Sequence, residues 1–124
     1  LLQERLTEGF RLLFEVVRRS RRCGNDHSLP LAHLNLCFGY QELRRFRQAF
    51  RHGLRALELA ERSQEEPIVK NALYLLGETA NLRDDVETAS RYFERLWREH
   101  YPEATYLPQL LLAVDVRKMI NLLA

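Results

Sequence analysis

The chain carries one pattern twice, forty residues apart. Leu36-Cys37 recurs as Leu76-Gly77, Phe46 as Val86, Ala49 as Ala89, Gly53 as Phe93 and Ala56 as Leu96, all at an offset of 40. The same step backward places Gly9, Leu13 and Val16 on Ala49, Gly53 and Ala56. Forward, it places Leu73, Leu76 and Gly77 on Ala113, Val116 and Arg117. A fixed period of this length marks a repeat architecture. Each unit is then one supersecondary element that cannot bury its own apolar face and must stack on its neighbours.

The units read as helices. Leu2, Leu6, Phe10, Leu13, Phe14 and Val17 have amphipathic-helix spacing over 2–22, and Cys23-Gly24-Asn25-Asp26 supplies the stop. Ser28 is placed to cap a second helix, with Pro30 in its first turn, running to about 43. Arg44-Arg45 turns the chain into a third, about 46–63, with Ala49, Gly53, Ala56 and Ala60 along one face. Pro67 opens a fourth to about 82, and Asp84 or Asp85 caps a fifth to about 100. Tyr101-Pro102 breaks that one, and 107–123 reads as a sixth. Composition agrees: 24 Leu against 6 Val and 2 Ile favours helix, and no stretch alternates long enough for a strand. The expectation is one all-α domain, 1–124, of about six helices. Hairpins at about 30–63 and 67–100 are flanked by helices 2–22 and 107–123.

Other classes fall away on composition. Nineteen basic and 17 acidic residues leave a net charge of +2, too little field to expect direct nucleic-acid contact. Hydrophobic residues at 46% and charged ones at 29% suit a globular domain. Two cysteines make no disulfide framework and point to reduced thiols in a cytoplasmic compartment. The longest apolar runs, such as 110–114, are far short of a membrane span. The first residue is Leu and periodicity starts at once, so the chain reads as a piece of a longer protein.

The repeated pattern resembles the tetratricopeptide repeat. Leu36-Cys37-x₂-Tyr40 followed by Ala49 and Ala56 matches one copy. Leu76-Gly77, then Ala89-x₃-Phe93 and Pro102, matches a second. Gly53 stands where that family carries an aromatic residue, Leu96 where it carries a second small one, and the spacing exceeds the usual period of roughly 34. The resemblance implies a right-handed superhelical stack of antiparallel helix pairs that binds proteins or peptides. The long spacing and the tail from Tyr92 to Leu123 also resemble bacterial cytoplasmic regulators. In these, a helix-turn-helix domain precedes a C-terminal repeat domain that senses peptides or mediates dimerisation.

Cys23, His27, His33 and Cys37 span 15 residues and include four possible zinc ligands. Cys37, however, occupies a small-residue packing slot, where a thiol behaves as a small hydrophobe, so no metal and no cofactor is expected. The glycines form no phosphate-cradling loop. Glu65-Glu66 and Asp84-Asp85 stand at helix starts, where they complement the dipole, and nothing points to an enzyme. Arg44, Arg45, Arg47, Arg51 and Arg55 read as a solvated stripe, with weak contact to DNA phosphates or to an acidic partner as the lesser reading.

The resemblance puts the first helix of each pair on the concave side. Facing away from the packing slots are Leu31, Leu34, Phe38 and Gln41, then Asn71, Tyr74, Glu78 and Asn81, then Lys118 and Asn121. Asparagine amides both donate and accept, which suits gripping an extended backbone, and Phe38 and Tyr74 add stacking area. The functional expectation is a protein- or peptide-interaction scaffold, the sensing or assembly part of a cytoplasmic bacterial transcriptional regulator. The alternative is a homodimerisation module joined through the C-terminal helix.

Overall fold

The structure, a computed structural model, describes residues 2–23 and 28–103. Five helices follow in chain order: α1 (Leu2–Cys23), α2 (Leu29–Glu42), α3 (Phe46–Arg62), α4 (Glu66–Leu82) and α5 (Val86–His100). Among the described residues there is no strand. All five helices stand within a residue of the bounds expected from periodicity. The sixth, 107–123, with Lys118 and Asn121, lies outside the described residues, as do Gly24 and His27.

Three connections are one device repeated every twenty residues. Arg44, Gln64 and Asp84 take left-handed backbone conformations, with φ of 59°, 56° and 61°. The next N–H reaches back five positions in each case: Arg45 to the Tyr40 carbonyl at 2.8 Å, Glu65 to Ala60 at 3.0 Å, Asp85 to Ala80 at 2.9 Å. The left-handed residues themselves donate to Gln41, Glu61 and Asn81. This Schellman arrangement satisfies carbonyls that the helix end would leave bare. Glycine is the usual occupant of such a position, and a side chain there costs about 1–2 kcal/mol.

The residue after each turn is already the N-cap of the following helix, so every reversal is short and neighbouring helices run antiparallel. Asp84 therefore turns the chain, while Asp85 caps α5 by accepting the Thr88 N–H at 3.2 Å. Ser28 departs from expectation. It stands at the N-cap of α2 but its side chain makes no capping bond, because its backbone (φ −92°, ψ −10°) is helical instead of extended.

Each helix packs on the next, and α2 also meets α4, which runs the same way. Ten of the fourteen residues of α2 are buried, which accounts for its apolar character on nearly every side. In contrast, α5 buries only Ala89 and Leu96, leaving Val86 and Trp97 exposed. Leu34, Leu36, Leu73, Leu75, Leu76 and Leu96 form the fully buried centre.

Two glycines set how closely the helices approach. A Cβ on Gly77 would lie 2.7 Å from Phe93 Cε1, so the α5 ring rests directly on the α4 backbone. A Cβ on Gly53 would lie 2.7 Å from Leu76 Cδ2 and 3.1 Å from Cys37 Sγ. The second hairpin thus pairs Gly77 with Phe93. In the first, Cys37 meets Gly53, and the space of the absent aromatic ring is filled by Leu76 from α4.

Candidate functional site

Polar residues of α2 and α4 form a chain of hydrogen bonds between the two helices. The Thr79 hydroxyl donates to Gln41 Oε1 at 2.7 Å, Gln41 Nε2 donates to Glu78 Oε1, and the Tyr74 hydroxyl donates to Glu78 Oε2. Both Glu78 oxygens are engaged, and Gln41 and Thr79 are buried. Burial, then the Glu78 carboxylate, holds the Tyr74 phenol above its ordinary pKa, so it remains a donor. Beneath this chain lies Cys37. Burial pushes its thiol up to about 12, helped by the Glu78 charge, while a hydrogen bond with Thr79 works the other way. A thiol so held stays protonated and behaves as a packing group.

Three residues expected on one face, Gln41, Tyr74 and Glu78, are therefore brought together, and their side chains join the helices to each other. Phe38 is half-buried with Leu31 against the core, and Asn71 is half-buried. Asn81 is exposed near the end of α4. Leu34 corrects the expectation: it is fully buried, packed in the core. Periodicity cannot orient a helix that is apolar on almost all sides.

Asn35, between Leu34 and Leu36, carries no sequence signal of a site. It is 3% exposed, and its side-chain oxygen has no hydrogen-bond partner among the described residues. It stands one turn from both Leu31 and Phe38 on the same side of α2. A buried orphan acceptor costs about 1–3 kcal/mol and asks for a donor.

A second concavity lies between α1 and α3, with α2 as its floor. Its volume is about 590 Å³, and Phe14, His33, Tyr40, Arg51, His52 and Arg55 are among its walls. The His33 and His52 rings meet edge to edge, with Nδ1 atoms 3.0 Å apart and centroids 5.2 Å apart. Tyr40 lies nearly parallel to His52 at 5.5 Å, Phe14 meets it edge-on at 6.0 Å, and Phe10 approaches Tyr40 at 4.5 Å. Burial, then the Arg51 charge, lowers the His52 pKa, favouring the neutral ring that a shared N–H···N bond requires. His33, one of the four possible zinc ligands in the sequence, thus directs its Nδ1 at His52. Among the described residues no three His, Cys, Asp or Glu side chains converge as a metal-binding group. His52 carried no sequence signal: only the packing of three helices brings it to His33.

No family model, curated protein or solved structure matches the chain. No helix among the described residues is long and apolar enough to cross a membrane.

Proposed function

We propose that this is a protein- or peptide-interaction domain whose ligand lies along the α2–α4 face. The observation that carries the reading is Asn35, a buried amide oxygen without a donor among the described residues, on the side of α2 that bears Leu31 and Phe38. An extended peptide supplies backbone N–H groups at regular intervals, and one of them would satisfy it. Asn71 on α4 offers a further amide, and the half-buried rings of Phe38 and Tyr74 offer apolar area. Gln41 and Glu78 hold the two helices in register beneath the ligand, while Asn81, and in the tail Lys118 and Asn121, would extend the contact. The tetratricopeptide-like stack, right-handed and superhelical, is part of this proposal. The equal turns at Arg44, Gln64 and Asp84 support it.

The wider setting we propose is the sensing or assembly part of a cytoplasmic bacterial transcriptional regulator. It rests on the resemblance of the tail and of the long repeat spacing. Self-association is the second reading, favoured by the exposure of Val86 (63%) and Trp97 (43%) on α5. Selecting binders from a random-peptide library, with light scattering on the unliganded protein, separates the two. Peptides that bind a monomer support the first reading. A dimer that selects no peptide supports the second.

A further inference from the structure

The α1–α2–α3 cleft lies beside a row of positive side chains. Arg44, Arg45, Arg47 and Arg51 are all exposed, and none makes an ion pair among the described residues. Arg18 and Arg83, also exposed, likewise make no ion pair among the described residues, but most of the other described arginines do. Arg11, Arg19, Arg55, Arg62, Arg91, Arg95 and Arg98 each meet a glutamate, mostly three or four residues away on the same helix. Arg47, Arg51 and Arg55 follow at intervals of four, so they line one side of α3, and the last two form part of the cleft wall. Glu42 is the nearest acid in sequence and pairs with none of them. Four like charges held close repel one another, and an anionic partner relieves that repulsion.

The cavity beside the row is walled in part by rings. Phe14 and Tyr40 present rings to it, His33 and His52 add imidazole edges, and Leu54, 41% exposed, adds an aliphatic lip. A volume of about 590 Å³ exceeds that of one aromatic side chain, leaving room for the flanking backbone. We infer that this cleft is a second binding site, which takes an acidic peptide segment by an aromatic anchor residue: the ring packs in the cleft against the exposed Phe14 and Leu54, and flanking carboxylates pair with Arg47 and Arg51. A peptide is favoured over single-stranded nucleic acid because Glu58 also lines the cleft and the net charge of the chain is only +2. The site lies across α2 from the face proposed for the main ligand, so it stands or falls independently.

The test uses a fluorescein-labelled peptide with one central tryptophan and three glutamates on each side, titrated at low salt. Two companion peptides carry alanine for the tryptophan or glutamine for the glutamates. Binding should weaken about tenfold or more with either companion, and by a similar factor in the Arg47→Glu/Arg51→Glu protein. Reversing a distant exposed charge, Arg91→Glu, should leave the affinity within about twofold. Circular dichroism checks that the variants fold, and His52→Ala, which removes an edge of the cavity without altering the charge row, should also weaken binding. Lack of binding at about 1 mM peptide overturns the inference. So does equal affinity for the charge-reversed protein, or displacement of the peptide by a thymidine oligonucleotide at lower concentration than by unlabelled peptide.

Discussion

The Nδ1 atoms of His33 and His52 are 3.0 Å apart, so one ring donates to the other and both cannot be charged. The folded protein binds its proton at His52 below the ordinary pKa of 6.5, chiefly because the ring is partly buried and next because Arg51 is nearby. The unfolded chain then binds more protons in acid. The contribution is complete above pH 6.5 and is lost as pH falls below it, through the lowered folded value. Urea midpoints should therefore drop between pH 7 and pH 5, and the drop should shrink in His52→Gln. A pH response identical in His52→Gln would contradict this.

Gly77 carries the Phe93 ring on its backbone. Gly77→Leu should destabilise by about 1–3 kcal/mol or more, with part of the loss recovered in Gly77→Leu/Phe93→Ala, where the ring no longer competes for the space. Urea unfolding of the two single variants and the double variant measures the coupling. Additive losses would mean the two residues do not meet.

The left-handed turn residues should accept glycine. Gln64→Gly should stabilise by about 0.5–1 kcal/mol, because the side chain is strained at φ 56° and the gain exceeds the extra freedom of the unfolded chain. Gln48→Gly, within α3, should instead cost about 1 kcal/mol. Denaturant midpoints at constant slope would show the opposite signs.

Much of the fold was legible because its signals are local. Periodicity located five helices, and Pro30, Pro67 and Asp85 marked starts that the structure keeps. The turns were legible as breaks at Arg44-Arg45 and Asp84-Asp85, yet their common geometry was hidden, since Arg, Gln and Asp do not advertise a left-handed conformation as glycine does. The site was less readable. Tyr74 and Glu78 share a face by simple i,i+4 spacing, but that Gln41 is buried and bonded to Glu78 and Thr79 depends on how α2 packs against α4. Leu34 was misplaced because α2 is surrounded on most sides, so no polar face fixes its rotation. Asn35 among leucines gives no warning that its oxygen will lack a donor. His52 reaches His33 only through the packing of α1, α2 and α3, which no single-helix pattern encodes.

Cys37 should be inert until the fold opens. Its buried thiol, pushed up to about 12, carries almost no thiolate at neutral pH. In a Cys23→Ser background, a disulfide reagent should modify Cys37 only in denaturant or at the rate of unfolding. Rapid labelling of the native protein would place the thiol at the surface and break the packing between α2 and α3.

The most direct test of peptide gripping on the α2–α4 face is calorimetric titration of one library-selected peptide into wild type and Asn71→Ala/Asn81→Ala. Both positions tolerate substitution without loss of fold, since neither is buried in the core. Each lost amide contact removes about 0.5–1.5 kcal/mol, so affinity should fall about ten- to a hundredfold. The same peptide binding both proteins equally, with a wild-type dimer converted to monomer by Leu111→Glu, would contradict the peptide reading and establish self-association in its place.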